Sequence, residues 1–200
     1  MISVSDGPSG VTKLVMIMNG FSLEGTVRSN WNEAVLTDCS GSRMLFSDLV
    51  RGICRFHIFF EEAGIAAGDR IALCGDGSLR HAAARFAVRS YRALPVEIPS
   101  DFSVAAITES LWRSDSVLLM IDCAAWSRLE GGYSLRAMPD AVSLDDGSVL
   151  RARRAVERAA GRVDALYAEQ YPQGICAGDV SAATAAELLD MLRAEKRLAG

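Results

Sequence analysis

Lysine is almost absent from this 200-residue chain: Lys13 and Lys196 stand alone, and arginine carries the rest of the positive charge. The formal net charge of −4 is mild and of the wrong sign for a large nucleic-acid footprint. No run approaches the roughly 20 uninterrupted apolar residues of a bilayer-crossing helix, and Leu14–Met18 falls far short. Also missing is any C-x-x-C pair, so neither a zinc site nor a redox dithiol is suggested. The five cysteines (Cys39, Cys54, Cys74, Cys123, Cys176) are odd in number and widely spaced, and are expected to be buried thiols of a reducing compartment. There is no G-x-S-x-G elbow, and His57 and His81 are the only imidazoles, so no nucleophile–base arrangement stands out. What is left is an ordinary globular composition, half hydrophobic, with the cytoplasm as the expected compartment.

The apolar pattern divides the chain into three parts. Residues 1–29 read as a tail and a first strand, with the Ser-, Gly- and Pro-bearing residues 1–10 loose. Residues 30–146 read as an α/β domain, and 147–200 as a helical extension. Within the domain, residues 33–46 predict a hairpin. The spacing of Leu49, Ile53, Phe56 and Phe60 predicts a helix from Ser47, as N-cap, to Ala63, with Gly64 as its stop. Strands are predicted at 70–74, 94–98, 116–121 and 141–144. Helices at 78–91 and 103–113, and a helical turn at 124–129, alternate with them. Strands joined by helical crossovers imply a mostly parallel sheet, and the apolar Val117–Ile121 suits a central strand covered on both faces. Beyond Gly147 the pattern predicts one long helix over 148–170, a break at Tyr171–Gly174 and a second helix over 181–198.

Four phrases in register carry a family resemblance. Gly64-Ile-Ala-Ala-Gly-Asp-Arg-Ile-Ala-Leu73 resembles the "G-v-x-x-G-D-R-V-A-L" segment of AMP-dependent, adenylate-forming synthetases, the acyl-CoA synthetases among them. Ala34-Val-Leu36 and Leu45-Phe-Ser-Asp-Leu49 stand upstream at the family's spacing. Arg92-Ala-Leu-Pro-Val-Glu-Ile98 stands downstream, with Arg92 where the family has glycine. Gly75-Asp76-Gly77 replaces the family's "L-P-N". The resemblance implies the opening segment of such a ligase, covering about residues 30–146. The family's Ser/Thr/Gly-rich phosphate loop, aromatic-acid motif, ribose-binding Asp and catalytic Lys lie downstream of the matching part. Gly178-Asp-Val-Ser-Ala-Ala-Thr184 lacks the closing Gly-Lys, and its aspartate would repel a polyphosphate. No catalytic or nucleotide-binding residue is therefore carried over.

Gly75-Asp76-Gly77-Ser78 lies where a strand gives way to a helix, but Arg80 stands at the third glycine position of G-x-G-x-x-G. A turn capped by Ser78 is favoured over a phosphate cradle, with Arg80 and His81 as weak anion candidates. Asp76, Asp101, Asp122 and the pair Asp145/Asp146 fall at the expected carboxyl ends of the strands, where magnesium is conceivable. Helix caps and turns are the favoured reading, and no metal ligand is assigned. His57 is expected to be packed, and Glu61-Glu62 to be solvated. Arg151, Arg154, Arg158 and Arg162 are expected to line one side of the 148–170 helix as a solvated basic stripe.

The expectation is thus a truncated or split portion of an acid-activating ligase, inactive alone. It would use ATP and Mg2+ only if a partner supplied the missing subdomains. The alternative is a noncatalytic α/β interaction module derived from such a ligase, toward which the helical extension weighs. Self-association remains open, and neither membrane nor nucleic acid is an expected partner.

Overall fold

The computed structural model describes residues 27–37, 41–130 and 138–199. The loose tail and the first strand expected before Val27 lie outside these residues, as does the tip of the hairpin turn. The described chain opens with a helical turn, α1 (Val27–Asn30), and an antiparallel hairpin of β1 (Ala34–Thr37) and β2 (Arg43–Leu45).

Helix α2 (Phe46–Glu62) follows β2 directly. Ser47 is its second residue and not its cap; Leu45 holds the cap position with no side-chain hydrogen bond. Remote carbonyls replace the cap. Phe46 N–H donates to Glu33 O at 2.9 Å and Ser47 N–H to Trp31 O at 3.0 Å, which satisfies two of the four orphan amides of the first turn. At the other end Gly64 adopts φ +77°, the left-handed turn expected of a stop.

The main sheet is built by β3 (Arg70–Gly75), β4 (Leu94–Pro99), β5 (Leu118–Ile121), β6 (Asp140–Ser143) and β7 (Val149–Arg151), in the order β4-β3-β5-β6-β7. The first four are parallel and β7 is antiparallel to β6. Helices α3 (Leu79–Ser90), α4 (Val104–Ser114) and α5 (Cys123–Glu130) make the crossovers, and α6 (Arg154–Gln170) and α7 (Ala182–Ala199) close the described chain. Ser78 and Ser103 cap α3 and α4 through their side chains. The central position falls to β5, all four of whose residues are buried. Burying a leucine or isoleucine there contributes about 1.5–3 kcal/mol.

Residues 148–153 correct the expected helix. Asp146-Gly147 turns the chain with Gly147 at φ +76°, Ser143 N–H donates to Ser148 O at 2.8 Å, and Val149–Arg151 returns as a fifth strand. Val149 packs on one face of the sheet and Leu150 on the other, a period of two that no helix gives. Among the described residues the sheet therefore has five strands, not four.

The direction of chain growth reverses between β3 and β5, so the crossovers fall on opposite faces. Helix α3, with α2, α6 and α7, covers the side carrying Ile71, Leu73, Leu118 and Met120. Helices α4 and α5 cover the side carrying Ala72, Cys74, Leu119 and Ile121. Helix α6 is tied to α2 by Arg162–Glu62 at 2.5 Å and by Arg55–Asp164, with Arg55 over the Tyr167 ring.

The outer strand β4 bonds to β3 through alternate residues. Leu94 N–H donates to Asp69 O, so Val96 and Ile98 also face inward. Pro95, Glu97 and Pro99 take the outward positions, leaving Glu97 as the outward-facing amide of this strand.

The cysteines correct a second expectation. Cys74 is buried and Cys54 half-buried, whereas Cys123 and Cys176 are exposed; Cys39 lies outside the described residues. Burial pushes the Cys74 thiol up to about 12, with Asp122 adding to it against Arg128.

Candidate functional site

Open parallel sheets bind ligands beyond the carboxyl ends of their strands, at the point where the winding reverses. Here that point lies between β3 and β5. Asp76 follows β3 and Asp122 follows β5, and both line a shallow cleft of about 250 Å3 together with Asp145, Ser100 and Arg128. Of the aspartates expected at this edge, three are thus brought together. Asp101 and Asp146 lie outside the cleft lining.

Each of these carboxylates has a backbone task. Asp76 Oδ1 accepts from Ser78 N–H at 2.9 Å. Asp122 Oδ1 accepts from Ala125 N–H at 2.6 Å, and Asp145 Oδ2 from Cys123 N–H at 2.8 Å, so two acids cap α5. Asp146 Oδ1 accepts from Ser148 N–H at 2.9 Å, and its hydrogen bonds from Ser148 hold the carboxyl down at about 2. Capping and turn formation, the favoured reading from sequence, accounts for all four. Among the described residues no group of three His, Cys, Asp or Glu side chains is placed to hold a metal ion.

Asp122 has its carboxyl raised above the ordinary value. Burial is the main cause, the Ala125 amide opposes it, and the charges of Asp76 and Asp145 add to it. Arg128 offsets part of this repulsion. Its guanidinium also donates to Ser100 O and, at 3.4 Å, to Phe102 O, tying α5 to the loop after β4. Sequence reasoning missed Arg128, because nothing in its spacing marks a residue that bridges two loops.

The Gly75–Ser78 turn is a packing device. A Cβ on Gly75 would lie 2.8 Å from His81 Nδ1 and 3.0 Å from Leu144 Cδ1, so glycine is what lets the imidazole approach. Gly77 N–H donates to His81 Nδ1 at 3.2 Å, Ser78 N–H goes to Asp76, and His81 N–H goes to Ser78 Oγ at 3.3 Å. The amides that would cradle a phosphate are occupied by the chain's own side chains. On the other ring nitrogen, His81 Nε2 meets Glu97 Oε2 at 2.8 Å. Glu97, absent from the sequence-derived candidates, could have been found from the two-residue period of β4, which turns it toward α3.

The other expected sites are dispersed. His57 Nε2 reaches Ala87 O at 3.1 Å and Ser90 Oγ at 2.9 Å, a packed histidine. Glu61 is exposed, but Glu62 is engaged by Arg162. The arginine stripe does not form on one helix: Arg151 ends β7, Arg154 is the first residue of α6, Arg158 is exposed and Arg162 is ion-paired. Arg153, not among the four, cross-links β6 to α6 through its Nε at 3.3 Å from both oxygens of buried Asp140.

Some exposed apolar side chains lie on the α4 side of the sheet. By strand alternation Leu94, Arg70 and Val117 lie side by side on that face at the amino edge. Arg70 reaches Ser114 O at the end of α4. Trp112 of that last helical turn is 81% exposed, Leu94 50% and Val117 40%.

With this geometry described, comparison by fold is informative where comparison by sequence is not. No protein-family model and no curated protein matches the sequence. The fold is shared with part of an amide bond synthetase. The match is to McbA from Marinactinospora thermotolerans, with a TM-score of 0.53 and 22% identity, over 64% of this chain and 26% of that one. Other similar structures are MatB from Rhodopseudomonas palustris (TM-score 0.49, 13% identity, 66% of this chain, 25% of that one) and a coronafacic acid ligase from Pectobacterium brasiliense (TM-score 0.48, 18%, 54% and 22%). The chain spans about a quarter of the length of each.

Proposed function

We propose that this chain is the truncated or split scaffold portion of an acid-activating, adenylate-forming ligase, and that it is inactive without phosphate-binding residues it does not itself carry. The observation that carries the reading is the fold shared with part of the amide bond synthetase McbA, together with the motif register across residues 34–98. The chemistry of the cleft agrees. Three carboxylates with their neighbouring amides already occupied make a poor seat for a polyphosphate, so ATP and Mg2+ would bind residues from outside this fold.

Acid-dependent exchange of labelled pyrophosphate into ATP tests this. The chain alone should give none with any of a panel of carboxylic acids. Supplying the phosphate loop and C-terminal domain of such a ligase, as a second polypeptide or fused after residue 200, should restore exchange. Robust exchange by the chain alone overturns the proposal.

A further inference from the structure

The contacts of His81 fix where its proton sits. A backbone amide can only donate, so the Gly77 N–H at 3.2 Å requires an unprotonated Nδ1. The single ring proton is then on Nε2, donated to Glu97 Oε2 at 2.8 Å. In this arrangement the ring, 7% exposed, accepts at Nδ1 and donates at Nε2. A second proton has only Nδ1 to occupy, and there it would face the Gly77 N–H donor to donor. Glu97 stays with the ring in both states, since Nε2–H is present in both and attraction to the carboxylate grows with the ring's charge.

We propose that His81 is a proton-operated latch: as a neutral base it holds the Gly75–Ser78 turn, and on protonation it keeps Glu97 and releases the turn. The charged groups around it agree with that division. From β4 the facing group is Glu97, and from α3 Arg85 stands 3.9 Å from the same carboxylate, with exposed Arg80 on the first turn. In the turn itself Asp76 is directed onto Ser78 N–H. Beyond Leu144, Asp145 is committed to Cys123 N–H and Asp146 to Ser148 N–H. Among the described residues no carboxylate is therefore placed to take the new proton on Nδ1, and the Gly77 contact is the one that breaks. Because the turn carries Asp76, a wall of the cleft, acidification alters the carboxyl edge of the sheet through a residue outside its lining. This is a regulatory property of the fold, independent of the ligase reading.

Nitrogen NMR of the imidazoles of the full chain, with amide exchange of Gly77, tests the latch. At neutral pH His81 should show the Nε2–H tautomer; a proton on Nδ1 overturns the proposal. As pH falls, Gly77 protection, corrected for intrinsic exchange, should drop about tenfold in step with the His81 titration, the scale of one lost hydrogen bond. It should not follow the titration of His57. Protection that survives His81 protonation also overturns it. In His81→Gln, whose amide can accept from Gly77 and donate to Glu97, protection should be independent of pH, and a drop like the parent's counts against the latch. The tautomer measurement needs no variant.

Discussion

Asp122 and Asp145 cap one helix from two different strands: Asp122 takes the Ala125 amide and Asp145 the Cys123 amide of α5. Their shared task draws like charges together at the sheet edge, and Asp122 bears the cost as a raised carboxyl.

Asp122 variants should separate the cap from the charge. Asp122→Ala loses the acceptor and is expected to cost about 1 kcal/mol. Asp122→Asn keeps an acceptor without the charge. The folded carboxyl titrates above its unfolded value, so its ionisation destabilises the fold at neutral pH, and that cost vanishes once pH falls below the unfolded value. The asparagine variant should therefore compare best with the parent at pH 7 and lose that advantage in acid. Urea unfolding at both conditions reads the difference, and an advantage that grows in acid would contradict the assignment.

Glu97 should behave with the opposite sign. Burial tends to raise its carboxyl, but the hydrogen bond from His81 and, once the ring is protonated, its charge, together with Arg85 and Arg89, outweigh it and hold the group below its ordinary value. Its stabilising contribution is complete above the unfolded value near 4.5 and is lost as pH falls through the lower folded one. Glu97→Gln should lower the melting temperature at pH 6 and flatten the acid side of its pH profile. A profile identical in shape to the parent's would show that the pair contributes nothing.

Gly75→Ala should be costly for want of space. The new methyl would meet His81 Nδ1 at 2.8 Å, and such overpacking costs about 1–3 kcal/mol. Adding His81→Ala removes the nearer obstruction and leaves Leu144 Cδ1 at 3.0 Å, so the double variant should be less destabilised than the sum of the single changes. Strict additivity in chemical denaturation would locate the strain elsewhere.

The parallel core was legible because its strands are short apolar runs and two of its helices begin at Ser78 and Ser103, caps that act through their own side chains. The start of α2 was not, since its amides are met by the carbonyls of Trp31 and Glu33, remote from the helix in the folding pattern. Strand β7 was hidden because Val149-Leu-Arg-Ala-Arg153 suits a helix as well as a strand. The Asp146-Gly147 turn was the signal that decides between them. At the candidate site, the carboxylates' place at the sheet edge followed from the alternation of elements. Their use as caps, and the link through Arg128, depend on how separate loops meet, which one-dimensional spacing does not record.

The prolines of β4 have a consequence for how such a chain survives before it meets anything else. Protein edges that present a row of free amides are templates on which like chains stack into cross-β aggregates. With Pro95 and Pro99 at outward positions, an arriving strand finds one donor, Glu97, beside a charged side chain. Leu94 can then stay half exposed at the start of that strand without the edge seeding fibrils.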